Sequence, residues 1–370
     1  MNQINTLPKW VDIILIPLLN ISLAFFVSGI VIFLIGENPF SAVSVMLKGA
    51  FYYPGSIGYT LYYTTNFMFT GLAVALAFHA KLFNIGGEGQ AYMGGLGAGL
   101  VCLALDQYLF GWLVIIFAIF GASFFGAIWA FIPGYLQAKR GSHVVITTIM
   151  FNFIAASLMV YLLVNVLIEP GQMSPETRDF SEGTKLLKIH EILQYFGIKT
   201  TATPLNLSFP LAIFISIFIW IFIWHTKLGY TIRTLGHSET AAEYAGIDVP
   251  KTIMIVMAIS GGIAGLVAVN EILGVHHRIL LGFTAGYGFT GIAVALMGRN
   301  HPFGIFLASL LFGILYQGGA ELDFEFSKIT REMVLMIQGL IILFSGALAF
   351  MLNPTVERIF QKFLLSGDTK

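Results

Sequence analysis

Apolar and polar positions alternate along this chain in long blocks rather than residue by residue. Predominantly apolar runs fall at about 11–35, 60–80, 91–105, 111–136, 143–168, 208–226, 252–270, 282–298, 303–319 and 333–352. Each approaches the ~20 residues a helix needs to cross a bilayer, so the pattern predicts ten spans. The third and eighth runs are short and read as partial or re-entrant helices. The fold class expected is an all-α, polytopic transmembrane helical bundle of about ten spans, with residues 1–370 forming a single transmembrane domain. The first run is too long for a signal-peptide core and lacks a convincing cleavage motif, so it reads as a retained span.

Composition agrees. Of 370 residues, 57% are hydrophobic and only 10% charged, whereas a soluble protein carries roughly 25% charged residues. The chain is therefore a lipid-embedded membrane protein. Net charge is zero, so no basic surface argues for nucleic acid. The single cysteine, Cys102, excludes an internal disulfide and a cysteine-cluster metal site.

Lys and Arg set the orientation. Lys139 and Arg140, Lys227, Arg233 and Lys251, Arg299, and Arg358 with Lys362 all fall on one side, which the positive-inside rule makes cytoplasmic. Ten spans put both termini there as well. The loops at 169–207 and 320–332 then lie outside, and the first of these, with Pro170, Gly171 and Pro175, reads as partly irregular. Leu186–Phe196 could form a short amphipathic helix within it, serving as a landing surface or simply as a link.

The polar island Leu228–Val249, between the apolar runs Leu211–Trp224 and Ile253–Val269, falls in the cytoplasm under this topology. Ser238 or Thr240 can cap a helix of about two turns, Thr240 with Glu243 fits a capping box, and Gly246 sits at its end. Ala241, Ala242, Ala245 and Tyr244 would let another protein's groove approach closely, although a helix resting on the membrane fits equally well.

Three further stretches could carry chemistry. In Phe83–Gly95, FNIGGEGQAYMGG, Gly86, Gly87 and Gly89 predict a break. There Asn84, Glu88 and Gln90 either line a path or, in the case of Glu88, cap helix N–H groups. In Gly141–Ala155, Thr148 and Asn152 share a helix face and could bond a polar ligand or a neighbouring helix. In Gly282–Gly291, Phe283, Tyr287 and Phe289 could stack on a flat base or pack against helices. Asn270, Glu271, His276, His277 and Arg278 follow the seventh run and read as a solvated external face, without the third ligand a metal site requires. Neither a nucleophile–base pair nor a cofactor motif stands out. No G-x-x-x-x-G-K-(S/T) occurs, so any ATP hydrolysis belongs to another subunit. Phe69–Leu76, FTGLAVAL, is echoed by Phe289–Leu296, FTGIAVAL, as in transporters built from duplicated halves.

GHSETAAEYAGI resembles the G-x-(N/S)-x-x-A-A-x-Y-A-G-I segment of bacterial ABC-importer permeases of the branched-chain amino acid, ribose and nucleoside superfamily. FNIGGEGQ resembles the signature of that superfamily's nucleoside-type branch. GSHVVITTIM resembles its G-x-x-E-V-I-x-T-I-M segment, with His143 in place of the usual glutamate, which puts a charge-dependent role there in doubt. Gly282–Gly298 is similar to its G-x-x-x-G-x-G-F-x-x-I-A-V-A-L-x-G pattern. The resemblance implies a permease subunit in the bacterial inner membrane, carrying nucleosides, or alternatively ribose-like sugars or branched-chain amino acids. It implies that 228–249 docks a cytoplasmic ABC ATPase through Ser238, Glu239, Ala241, Ala242, Glu243, Tyr244 and Gly246. It also implies an extracytoplasmic binding protein or lipoprotein and a second permease subunit, in a heterodimer given the long external loop. An ion-coupled secondary transporter is the rival from another class and expects ionisable residues at mid-span. An intramembrane enzyme is a further alternative, for which the chain offers no catalytic constellation.

Overall fold

The computed structural model describes Val11 and residues 15–343. In chain order its helices are α1 Ile16–Leu34, α2 Pro39–Phe51, α3 Ser56–Phe78, α4 Gly87–Leu105, α5 Gly111–Arg140, α6 Val144–Asn165 and α7 Ile189–Tyr195. They continue as α8 Ser208–His225, α9 Lys227–His237, α10 Glu239–Tyr244, α11 Val249–Gly265, α12 Tyr287–Met297, α13 Pro302–Glu325 and α14 Arg331–Ile342. A π-helical segment, Val269–His276, carries α11 onward. Local chemistry sets several ends. Asn38 caps α2 ahead of Pro39, Thr226 caps α9 through the Gly229 N–H, and Asp248 caps α11 through the Lys251 N–H. Gly141, at φ 67°, closes α5 in the left-handed region.

Among the described residues six helices are long and apolar enough to cross a membrane. They are Ser56–Phe78, Gly111–Arg140, Val144–Asn165, Ser208–His225, Val249–His276 and Pro302–Glu325. A seventh arises if Ser22–Leu34 and Pro39–Phe51, bent by 118° at the intervening break, count as one span. The expected ten are therefore not all present as full spans. The 91–105 run lies in α4, whose many glycines dilute its hydropathy, and the 282–298 run yields only the 11-residue α12. The 333–352 run lies partly outside the described residues, as do the start of the first run and both Arg358 and Lys362. The seventh run extends well beyond 270, since Val249–His276 reads as one apolar span.

Two compact units are distinguished: Pro54–Gly313, and the segments before Pro54 and after Gly313. Within the second of these, the Tyr53 hydroxyl donates to Glu325 (2.6 Å) and the Met46 backbone lies close against Gly318. Within Pro54–Gly313, α3 and the α11 span are mostly buried, whereas α5, α6 and α8 present long apolar faces outward. Small residues let these helices approach closely. Gly261 and Gly265 of α11 lie against Ala122, Gly126 and Ala130 of α5, and Gly94 of α4 lies against Gly265. The echoed octapeptides meet: a β-carbon at Gly71 would stand 2.8 Å from Val294 Cγ1, and one at Gly291 would overlap Thr70.

Residues 176–189 are fastened rather than loose. Thr177 and Phe180 donate to the carbonyls of Ile279 (3.0 Å) and His277 (2.8 Å), and Leu186 donates to Leu273 (3.0 Å). The Arg178 guanidinium grips both oxygens of the buried Asp106 carboxylate at 2.8 Å, and the Ser181 N–H adds a third bond (3.0 Å). Arg178 above all holds the Asp106 carboxyl below the usual range. Because the folded value is depressed, the stabilisation is present above the ordinary aspartate pKa of ~3.9 and is lost as pH falls through the folded value. Asp106→Asn is expected to loosen 177–184 at neutral pH, read as faster amide exchange there, and to make that exchange insensitive to acidification.

Candidate functional site

A break stands just before α4, at residues 79–86, and is built from interlocked side chains; Glu88 and Gln90, expected within it, lie instead in the first turn of α4. Asn84 and Gln90 exchange amide hydrogen bonds (3.0 and 2.9 Å), and Asn84 also donates to Ser260 Oγ (2.9 Å) and accepts from the Gly86 N–H (2.9 Å). Asn152 of α6 accepts from the Gly89 N–H and donates to the Ile85 carbonyl, both at 2.9 Å, so it clamps the break from the side. Thr148, one turn earlier, bonds back to the Val144 carbonyl (2.7 Å) and its Cβ lies near Gly86. Asn84 makes four bonds, and Gln90 and Asn152 each use both their oxygen and their nitrogen, which fixes the shape of the break.

Glu88 reaches across to the glycine-rich turn before α12. Its carboxylate accepts from Thr284 Oγ1 (2.6 Å) and from the N–H groups of Gly286 (3.0 Å) and Gly288 (2.9 Å). It thus caps the N-terminus of a half-length helix other than its own, where unpaired N–H groups and the helix dipole favour negative charge. Gly288 is seated against the Glu88 backbone with no room for a side chain. Phe283 is buried edge-on to Tyr92 (5.3 Å) and Tyr287 edge-on to Phe67 (5.5 Å), while Phe289 is about half exposed. The structure thus gathers Asn84, Glu88, Gln90, Thr148 and Asn152 around the junction of the break with α4, with Phe283 and Tyr287 buried beside it.

A second polar cluster was not read from the sequence as one. Asn270 and Glu271 are not a solvated face: they are 1% and 2% exposed. The α11 span continues through them in π-helical form and turns both toward α3. Glu271 Oε1 accepts from the Tyr62 hydroxyl (2.6 Å) and Asn66 Nδ2 (2.5 Å), and Oε2 lies 3.3 Å from His276 Nε2. Asn270 bonds Asn66, the Tyr62 carbonyl, and Asn206 and Ser208 at the start of α8. The available signals were the polar doublet closing the seventh run and the i, i+4 pair Tyr62 and Asn66 inside the second.

The island forms α9 and α10. Ser238, rather than Thr240, is the N-cap of α10, accepting from the Ala241 N–H (3.3 Å). Thr240 falls inside the helix, so the Thr240–Glu243 capping box is not formed. Gly246, at φ 76°, ends the turn as expected. Ala242 is fully buried among Ala77, Leu82, Val144, Ile232, Leu235, Val249 and Ile253, while Glu239, Ala241, Glu243 and Gly246 are exposed and Tyr244 is 95% exposed. One alanine seats the helix and the remaining face is open.

A cavity of ≈ 410 Å³ lies elsewhere in Pro54–Gly313, along Ile213, Ile217, Trp220, His301 and Phe306. Apart from Ser216 and His301 its lining is apolar, so it does not carry the polar chemistry. Among the described residues no group of three or more His, Cys, Asp or Glu could hold a metal ion.

The family model for the branched-chain amino acid transport system permease component matches residues 56–346. The chain belongs to this permease family. It is 34% identical to the guanosine ABC transporter permease protein NupP of Bacillus subtilis over 93% of this chain and 97% of that one. It is 31% identical to the nucleoside ABC transporter permease protein NupB of Lactococcus lactis over 90% of each. It is 29% identical to the glucose ABC transporter permease protein TsgB13 of Haloferax volcanii over 92% of this chain and 88% of that one. The chain is a multi-pass membrane permease component, and the break and α10 both lie within the matched residues.

Proposed function

We propose that this chain is the transmembrane subunit of an ATP-binding cassette importer that carries nucleosides across a bacterial inner membrane. The observation that carries the reading is α10: in a family of transport permeases, this chain holds a short helix by Ala242 and leaves Glu239, Glu243 and Tyr244 projecting. A separate cytoplasmic ATPase binds that face, a second permease subunit completes the pathway, and an extracytoplasmic binding protein delivers substrate. Both termini and the α9–α10 end are cytoplasmic, in keeping with Lys139, Arg140, Lys227 and Lys251. The nucleoside assignment is supported by the guanosine and nucleoside permeases among the relatives.

Coupling follows from the packing. Val249 and Ile253 at the base of α11 share the core that holds Ala242, and Ser260 further along bonds Asn84 of the break. ATP-driven closure that displaces α10 therefore moves α11 and, through it, the break. ATP shifts the conformers only as far as it favours one over the other at that contact. Asn84, Glu88, Gln90, Thr148, Asn152, Phe283, Tyr287 and Phe289 belong to the moving wall of the path, with Glu88 latching α4 to α12.

The test is ATP-dependent uptake into vesicles bearing this chain with its ATPase, second permease and binding protein. Radiolabelled guanosine is expected to accumulate in preference to glucose, ribose and leucine. Losing one hydrogen bond to a charged acceptor, about 1.5–3 kcal/mol, corresponds to a factor of roughly ten or more, so Glu88→Ala should lower uptake at least about tenfold with the complex still assembled. Accumulation of glucose instead would support the sugar reading that the Haloferax relative suggests.

A further inference from the structure

Asn270 and Glu271 are neighbours in one buried network but differ in how fully they are used. The Asn270 amide makes four bonds: Nδ2 donates to Asn66 Oδ1 (2.9 Å) and the Tyr62 carbonyl (3.2 Å), while Oδ1 accepts from Asn206 (2.9 Å) and Ser208 (2.7 Å). Its capacity is exhausted, and its work is to tie α3, α8 and α11 together. The Glu271 carboxylate offers about four acceptor positions. Two are filled at Oε1 by Tyr62 and Asn66, and Oε2 has only His276 at 3.3 Å. Among the described residues this leaves one acceptor position on Oε2 over, and the neighbouring His276 side chain is 32% exposed against 2% for Glu271.

The charge itself also lacks a structural reason. Among the described residues no Lys or Arg pairs with Glu271, and Arg278, the next cation along the chain, sits 3.3 Å from Glu176 and 3.5 Å from Asp179 instead. A carboxylate within a span, held by neutral donors and one histidine, is costly and marks ligand or ion pathways far more often than packing. A neutral amide such as Asn270 would suffice to join the helices. The π-helical winding of Val269–His276 points the same way, since such segments are rare and concentrate at functional positions.

We infer that Glu271 is a substrate-recognition residue: Oε2 accepts a hydrogen bond from an N–H or O–H donor of a neutral ligand that enters past His276. The inference rests on the nucleoside-permease reading and extends it to a residue and a selection rule. A buried carboxylate without a Lys or Arg partner among the described residues binds donor-bearing neutral ligands and disfavours anions, so nucleosides are taken and nucleotides refused. Both the N–H edge of guanine and the ribose hydroxyls can supply the donor.

The experiment is equilibrium binding of radiolabelled guanosine to the assembled transporter in nanodiscs, without the binding protein. Glu271→Gln is expected to weaken binding at least about tenfold, as loss of a bond to a charged acceptor does, with the transporter still assembled by size-exclusion chromatography. Glu271→Asp, which keeps the charge but withdraws it by one methylene, should lie between. In the unaltered protein, guanosine monophosphate should fail to compete. Inosine, which lacks the 2-amino group but keeps N1–H, and 2′,3′-dideoxyguanosine, which keeps only the 5′-hydroxyl, narrow down the donor. Wild-type affinity in Glu271→Gln or equal competition by guanosine monophosphate would overturn the inference. If both substitutions prevent assembly, the monophosphate competition in the unaltered protein decides. Failure of the unaltered transporter to take up any nucleoside would instead strike the function proposed above, so the two failures are distinct.

Discussion

Replacing Gly265 with alanine is expected to destabilise the close crossing of α11 and α5. A β-carbon there would overlap the Ala122 carbonyl oxygen of α5, and Gly94 of α4 approaches the same glycine from another side. The obstacle to a β-carbon at Gly265 is α5 backbone, not the flexible end of a side chain that could swing away. Overpacking of this kind costs about 1–3 kcal/mol where the surroundings relax. Here the relaxation must move α5 as a body, so the upper part of that range applies to alanine, and valine exceeds it. The measurement is monodisperse yield and melting temperature in mild detergent, with Gly246→Ala as the comparison. Gly246 has open space around it and only its φ of 76° opposes a side chain. A Gly265→Ala variant that melted with the unaltered protein would mean that these helices do not cross as closely as described.

The elements most legible in the sequence were those whose signal is local. The polar island between two apolar runs gave α9 and α10, and the glycines around Glu88 gave a break where one stands. What was missed depended on contacts between distant segments. Hydropathy made the seventh run end near Val269, because Asn270 and Glu271 are polar; nothing local says that Tyr62 and Asn66, more than 200 residues away in sequence, supply their hydrogen bonds. Glu88 could be recognised as a possible cap, yet the helix it caps begins at Tyr287 and is set by the fold. Likewise Ser238 and Thr240 are equivalent capping candidates until the burial of Ala242 fixes the phase of α10, and that phase selects Ser238. Counting apolar runs gave too many full spans because it does not distinguish the half-length α12 or the glycine-rich α4 from complete crossings.

Reversing the charge of α10 is expected to disconnect the permease from its ATPase without unfolding it. Glu239 and Glu243 are exposed and one turn apart, with Tyr244 beside them projecting almost wholly free. Among the described residues neither carboxylate has a hydrogen-bond or ion-pair partner, whereas Ala242 between them is buried and keeps the helix seated. Glu239→Lys with Glu243→Lys therefore alters the open face alone. Like charges brought together, or a buried partner left unpaired, cost about 2–5 kcal/mol at an interface, which is roughly a thirtyfold to several-thousandfold loss of affinity. Replacing all of 238–246 by a flexible linker would be a poorer test, because it also removes Ala242 from the core.

The most direct measurement is affinity purification of this chain from its native membranes in mild detergent, unaltered and as the Glu239→Lys, Glu243→Lys double variant. The account predicts that a P-loop ATPase accompanies the unaltered chain, is lost from the variant, and that both chains elute and melt alike. An ATPase recovered equally with both would contradict docking through α10. Recovery with neither, alongside proton- or sodium-driven uptake, would contradict the importer reading itself.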